Sequence, residues 1–175
     1  SAKYDFSEGR RTRSFTAQLL RSKDGKHYEH VSKLDVDGDP NESTIRFDKT
    51  GKMYIVIRRE TGDQNGVIAE SVAPYKEWEF HHLPYRLGGP NFLFLNDREV
   101  VLGTRFHEGT STSTALHIAD LKGNILKTIK LPSSGDNSYP GLVIHKKKLW
   151  VAYYSSHEGK SNIYFTSIPL KTLKR

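Results

Sequence analysis

The chain has 175 residues, and its 27 basic and 20 acidic side chains leave a formal net charge of +7. Apolar residues make up 35% and charged residues 27%, a balance that supports a packed core and excludes a disordered or collagen-like chain. No run of about 18 apolar residues occurs, so we expect no membrane-spanning helix and no membrane partner. The absence of cysteine excludes disulfides, thiolate metal sites and a thiol nucleophile.

Short runs of Val, Ile and aromatic residues alternate with Gly, Asp, Asn and Lys along the chain. No segment keeps helical spacing for three turns, so the pattern predicts an all-β protein. The predicted strands are 14–20, 28–34, 44–48, 53–59, 66–72, 78–83, 92–96, 100–106, 115–120, 125–131, 142–145, 149–155 and 162–168.

A repeat with a period near 48 residues runs through these strands. It places Glu42, Pro90 and Tyr139 at equivalent positions, 48 and 49 residues apart. Each unit has polar residues, a short strand, a tight turn, a longer apolar strand and one or two outer strands. This order is typical of the four-stranded antiparallel blade of a β-propeller.

The repeat also sets the expected organisation of the chain. Dividing 175 residues by 48 gives about 3.6 blades, or half of a six-bladed ring. We expect a single partial propeller of three to four blades. Its parts are an outer strand pair of an incomplete blade at 1–39, blades at 40–87 and 88–136, and an incomplete last blade at 137–175.

Such a half-ring does not close by itself. Either the sequence is a fragment of a longer chain, or two identical copies form one ring. A two-fold dimer is the simplest closed solution for identical halves and leaves no open strand edges. We therefore expect a homodimer that completes the propeller.

Four polar residues occupy positions that a propeller brings together on one face. Glu42 and Tyr139 begin the first strand of their blades, and Arg58 and Arg105 end the antiparallel second strand. Each residue alone is compatible with an ordinary solvated surface position. Their occurrence together at matched repeat positions favours a ligand site.

Several motifs carry a resemblance to the exo-α-sialidase family of β-propellers. Ser22 to Tyr28 is similar to a degenerate Asp box, with Tyr28 where Trp is usual, and 68–78 resembles the same hairpin without its Asp. The sialidase-like order Glu, Arg, Arg, Tyr is also present. The segments that carry this order are Asn41-Glu42 with Arg58, Gly88 to Phe92 with Arg105, and Asp136 to Tyr139 followed by 149–154. The segments 131–141 and 153–159 resemble those of a sialidase-like group of glycosyl hydrolases.

The resemblance implies a glycoside hydrolase that acts on a glycan, sialic-acid-like or otherwise acidic. Tyr139 would be the nucleophile and Glu42 its base, because a neutral phenol approaches an anionic sugar more easily than a carboxylate does. Arg58 and Arg105 would anchor the sugar carboxylate through paired hydrogen bonds. His157 would contact the substrate. The family also favours a secreted or periplasmic location, although the compartment stays open.

The resemblance covers only about half of the usual protein. The family's first triad arginine and its acid/base Asp belong to early blades, and nothing before Glu42 matches them. The basic cluster Arg10, Arg11 and Arg13 lacks the surrounding motif. Two alternatives therefore remain open: a non-catalytic glycan-binding protein, and a module that binds a protein partner through its open edges.

No cofactor, metal or nucleic acid is expected. His81 and His82 are adjacent on a predicted strand, so their side chains point to opposite faces, and no His-x-His or His-x-x-x-His pair supports them. The basic residues are spread over turns such as 146–148 and the termini, without an aromatic-studded basic face.

Overall fold

The computed structural model describes residues 2–5 and 12–173, which contain fifteen strands and one short helix. The elements are β1 (Ala2–Asp5), β2 (Thr12–Phe15), β3 (Ala17–Arg21), β4 (Glu29–Leu34), β5 (Pro40–Phe47), β6 (Met53–Arg59), β7 (Asn65–Ser71), β8 (Glu79–Arg86), β9 (Asn91–Phe94), β10 (Glu99–Glu108), β11 (Ser111–Asp120), β12 (Ile125–Lys130), β13 (Asn137–His145), β14 (Lys148–Ser155), β15 (Asn162–Pro169) and α1 (Leu170–Leu173). No described helix is long and apolar enough to cross a membrane.

All described strand pairs are antiparallel, and the strands form five separate sheets. The sheets are β1–β2, β3–β4, β5–β8, β9–β12 and β13–β15, and each follows chain order. The all-β prediction is confirmed, and every predicted strand overlaps an observed one. Two details differ: the predicted strand 14–20 is split between β2 and β3 at Thr16, and the β1–β2 hairpin was not predicted. Arg10 and Arg11 of the basic cluster lie outside the described residues.

Three hydrophobic cores lie between successive sheets. Strand β6 is buried on both sides because its apolar side chains alternate: Ile55 and Ile57 face β3–β4, whereas Tyr54 and Val56 face β9–β12. A third core joins β9–β12 to β13–β15 through residues such as Val101 and Leu149. Each fully buried aliphatic side chain of this kind contributes about 1.5–3 kcal/mol. This burial fixes the order in which the sheets stack.

The first strands of two sheets each carry a bulge at their beginning. The β5–β6 ladder shifts register between Pro40 and Ser43, and the β13–β14 ladder shifts between Ser138 and Gly141. The bulged residues include Glu42 and Tyr139, and Tyr139 has a positive φ of 47°. A bulge re-aims the side chains that it carries. Glu42 and Tyr139, which are equivalent in the sequence repeat, therefore both lie in a bulge at the beginning of the first strand of their sheet.

Neighbouring first strands are tied together by similar contacts. The Thr44 hydroxyl of β5 donates to the Pro90 carbonyl oxygen at 2.8 Å. In the next pair, the Asn91 amide of β9 donates to the Pro140 carbonyl oxygen at 2.9 Å. Because these strands lie side by side, the beginnings of β5, β9 and β13 meet at one rim.

The homodimer expected from the sequence stays a prediction, and β15 offers a way to test it. The sheet β13–β15 has three strands, and Ile163 and Phe165 of β15 are 78% and 67% exposed. We expect size exclusion with light scattering to give a mass near twice 19.9 kDa, and Phe165→Glu to reduce it. Val72→Glu, at a position that is 63% exposed and directly follows β7, is the control. A concentration-independent monomer would contradict the prediction.

Candidate functional site

Glu42 and Tyr139 meet at the rim where the first strands converge. Although the two residues are 97 positions apart, the Tyr139 hydroxyl donates a hydrogen bond to Oε1 of Glu42. The other carboxylate oxygen, Oε2, accepts from the Gly89 backbone N–H at 2.9 Å. The sheets β5–β8 and β13–β15, and the segment that leads into β9, thus each contribute one residue to this contact.

Arg58, near the end of β6, contacts the same carboxylate oxygen of Glu42 as the Gly89 N–H does. Its Nη1 lies 2.8 Å from Oε2 of Glu42, and its Nη2 lies 2.8 Å from Oε1 of Glu60. Glu60 also accepts from the Asn41 side chain at 2.7 Å. The Arg58 side chain is 16% exposed. A half-buried guanidinium between two carboxylates fixes the orientation of Glu42.

The environment separates the protonation states of Glu42 and Tyr139. Burial alone would raise the pKa of Glu42, but hydrogen bonds from Tyr139, Arg58 and Gly89 outweigh it and lower the pKa below its usual value. The hydrogen bond to Glu42, together with burial, raises the pKa of Tyr139, against the opposing effect of Arg58 and Arg105. At neutral pH the pair is therefore a phenol facing a carboxylate, as required for proton transfer from one to the other.

Arg105 joins this cluster indirectly. Its Nε donates to the Asn137 carbonyl oxygen at 2.7 Å, and its Nη2 donates to Oδ1 of Asp136 at 2.7 Å and to the Tyr154 hydroxyl at 3.0 Å. The Tyr154 ring stacks on that of Tyr139, with centroids 6.0 Å apart. Arg105 and Tyr139 are thus connected through Tyr154.

Tyr154 and Asp136 were not assigned a role from the sequence, although both lie in segments that carry the family resemblance. The Tyr154 hydroxyl donates to Oδ1 of Asp136 at 2.7 Å. Burial, followed by this hydrogen bond, raises the pKa of Tyr154 to about 12. Tyr154 stays protonated and holds its ring against Tyr139. The sequence signal for Tyr154 was the Tyr153-Tyr154 pair, whose side chains point to opposite faces of β14.

His157 lies apart from the other four predicted site residues. Its Nδ1 is 2.9 Å from the Ser155 hydroxyl, and its ring packs 4.7 Å from the Tyr164 ring. None of its described contacts is with Glu42, Arg58, Arg105 or Tyr139. The structure thus groups four of the five sequence-predicted residues.

Gly89 controls the approach of Tyr139, and its replacement by alanine is expected to be disruptive. Its φ is +57°, and a Cβ would lie 2.8 Å from the Tyr139 ring. We expect Gly89→Ala to lower the free energy of unfolding by about 1–3 kcal/mol because of backbone strain and overpacking. Gly141→Ala is the matched control, since its Cβ would find nothing closer than 3.8 Å. Urea unfolding checks both variants, and equal stabilities would contradict the expectation.

Comparison with known proteins gives a likeness in fold. No protein-family model matches the chain, and no curated protein is significantly similar to it. Among solved structures, it is similar to the crystal structure of an endo-1,4-beta-xylanase from Bacteroides thetaiotaomicron VPI-5482, with a TM-score of 0.62. The match covers 95% of this chain and 67% of that chain at 11% sequence identity. At this identity the similarity shows a shared fold.

Proposed function

We propose that the chain belongs to a sialidase-type β-propeller whose rim site binds an acidic glycan and hydrolyses its glycosidic bond. The observation that carries this proposal is the Tyr139 hydroxyl donating to a Glu42 carboxylate that Arg58 holds in place. A phenol beside an oriented base is the nucleophile arrangement that sialidases use in place of a second carboxylate.

In the proposed reaction, Tyr139 is the nucleophile and Glu42 the base. The phenolic oxygen forms a bond to the anomeric carbon while the phenolic proton passes to Glu42. The bond between that carbon and the leaving alkoxide breaks, and the alkoxide takes a proton from a carboxylic acid. Water then attacks the anomeric carbon and gives a proton to the carboxylate that served as the acid, while the bond to the Tyr139 oxygen breaks and Glu42 returns its proton to the phenolate. The acid would come from the early blades of the propeller, which this sequence does not match.

The arginines would attract and anchor the sugar carboxylate. Nη1 of Arg105 makes no hydrogen bond to any described residue, so it is open to a ligand oxygen. Arg58 has both terminal nitrogens in ion pairs with Glu42 and Glu60. A ligand carboxylate would therefore bind to Arg105 first, and to Arg58 only by sharing it with these carboxylates.

The turn that joins β3 to β4 supports the proposal that the propeller is of the sialidase type. Oδ1 of Asp24 accepts hydrogen bonds from the backbone N–H groups of Lys26 and His27, each at 2.8 Å. The Ser22 hydroxyl accepts from the Gly25 N–H at 2.8 Å. This network accounts for Ser, Asp and Gly at the spacing of an Asp box. The name of the similar structure, a xylanase, supports a glycan as the ligand class.

A non-catalytic glycan-binding protein is the second candidate. Its supporting observation is that the sequence matches only part of the family's catalytic set, without the first triad arginine and the acid/base Asp. The rim would then retain its anion-binding groups and bind an acidic sugar without cleaving it.

Two measurements on the same preparation separate the candidates. The first is turnover of a fluorogenic sialoside, and the second is calorimetric binding of free N-acetylneuraminic acid. Turnover supports the hydrolase, whereas binding without turnover supports the glycan-binding protein. If neither is observed, both candidates are wrong for this chain. Arg105→Met should weaken binding in either case, because it removes the open guanidinium donor, and Arg98→Met, in the β9–β10 turn, is its control.

A further inference from the structure

A second cluster of functional side chains lies on the sheet β5–β8 and shares no residue with the rim site. Glu70 of β7 is directly opposite Glu79 of β8 in the ladder. His81 is two residues after Glu79, so both side chains are on the same face of β8. One ligand atom from each of the three residues lies within 4.8 Å of the others. The sequence pattern drew attention only to the adjacent His81 and His82, so Glu70 and Glu79 were not predicted as ligands.

The distances in the cluster are unlike those of a hydrogen-bonded network. Nε2 of His81 lies 3.7 Å from Oε1 of Glu70 and 3.6 Å from Oε1 of Glu79, too far for hydrogen bonds. This nitrogen is buried and makes no hydrogen bond. Around a tetrahedral Zn²⁺ with bonds of about 2.0–2.1 Å, neighbouring ligand atoms are about 3.3 Å apart. The two separations between His81 and the carboxylates are thus close to those of ligands that share one metal ion, and the carboxylates lie within 4.8 Å of each other.

We propose that Glu70, Glu79 and His81 form a binding site for a divalent transition metal ion such as Zn²⁺. One imidazole nitrogen and two carboxylates are a ligand set that zinc accepts, with water in the fourth position. A cavity of about 310 Å³ adjoins Glu70 and Glu79 and gives the ion and its water access. The Glu70 side chain is 10% exposed and that of His81 13%, so the ladder holds two of the three ligands in place.

Lys52 sets the expected strength of the site. Its Nζ lies 2.6 Å from Oε1 of Glu70, so a bound cation would share this carboxylate with an ammonium group. Like charges at such short range repel, which lowers affinity. We therefore expect a site of micromolar affinity in the natural sequence, and a tighter one when Lys52 is replaced by methionine.

Calorimetric titration with Zn²⁺ at pH 7.5 tests the proposal. We expect one ion per chain, an affinity at least tenfold weaker in His81→Phe and in Glu79→Gln, and a tighter one in Lys52→Met. Glu79 is 64% exposed, so Glu79→Gln should fold normally even if His81→Phe does not. His82→Phe, which changes the neighbouring exposed histidine, should bind like the wild type.

Three outcomes would overturn the site. They are the absence of a 1:1 binding heat in the wild type, equal affinities of the wild type and Glu79→Gln, and a loss of affinity in His82→Phe matching that in Glu79→Gln. A further signature is the visible absorption of bound Co²⁺, which should be present in the wild type and His82→Phe and lost in Glu79→Gln. Glycan binding at the rim should be the same with and without Zn²⁺, so this test is independent of the proposed function.

Discussion

Replacing Tyr139 by phenylalanine is expected to lower sialoside turnover by at least about a hundredfold. The variant keeps the aromatic ring, its stacking on Tyr154 and its fit against Gly89, but it lacks the oxygen that would attack the sugar. It also removes the hydrogen bond to Glu42. Initial rates with a fluorogenic sialoside, at concentrations that separate kcat from KM, give the measurement. If Arg105 anchors the sugar carboxylate as proposed, the loss should fall mainly on kcat, because the variant keeps that anchor.

The control for this variant is Tyr28→Phe. Tyr28 is 63% exposed and Tyr139 53%, so both changes remove a phenolic hydroxyl from an accessible ring. We expect Tyr28→Phe to keep wild-type turnover. If Tyr139→Phe also retains its activity, Tyr139 is not the nucleophile. Thermal unfolding of both variants, expected within about 1 kcal/mol of the wild type, shows that a lost activity is not a lost fold.

Acidification is expected to destabilise the protein through His117. The His117 side chain is fully buried between the rings of Tyr85 and Phe106, at centroid distances of 5.6 and 5.4 Å. Its Nδ1 is 2.8 Å from the Thr128 hydroxyl, and its Nε2 is buried without a partner. Burial lowers the pKa of His117 to about 4, because the imidazolium would lose its hydration.

The sign of the effect follows from the two protonation equilibria. The unfolded chain binds a proton at His117 near pH 6.5, whereas the folded protein binds it only near pH 4. The contribution of neutral His117 to the free energy of unfolding is therefore fully present above pH 6.5, and it is lost as the pH falls toward 4. The loss at pH 4.5 amounts to about 2.5 kcal/mol.

Urea unfolding between pH 7.5 and pH 4.5 measures this loss. The variant His117→Leu has no group to protonate at this position. Between pH 7.5 and pH 4.5, its free energy of unfolding should therefore fall by about 2.5 kcal/mol less than that of the wild type. His145→Leu, at an exposed position at the end of β13, should retain the pH dependence of the wild type. If His117→Leu and the wild type show the same slope, the residue does not titrate as described.

The strands were largely predictable because each carries its own apolar pattern, and the repeat placed Glu42 and Tyr139 at equivalent positions although they are 97 positions apart. The break at Thr16 was not predictable, since neither Gly nor Pro occurs between Thr12 and Arg21 to mark it. The split depends on which neighbouring strand each half pairs with, and pairing is a tertiary property.

The residues of the candidate site were easier to predict from the sequence than the hydrogen bonds that they make. The sequence predicted Arg105 as an anchor for the sugar carboxylate, but not that its Nε and Nη2 donate to Asn137, Asp136 and Tyr154. Asp136 resembles any exposed loop acid, and only the fold shows that it fixes an arginine. The Glu70–His81 cluster was missed for a related reason. It requires the β7–β8 register, which a shift between Asn65 and Val67 alters in a way that composition does not reveal.

The bulges at Glu42 and Tyr139 have a consequence for how the protein can evolve. A bulged residue takes no part in the regular ladder, so its replacement leaves the pairing of β5 with β6 and of β13 with β14 intact. Mutation can therefore remove or exchange the chemistry of the rim while the chain continues to fold. We therefore expect related chains with the same sheets to vary more freely at positions 42 and 139 than at the paired positions of these strands.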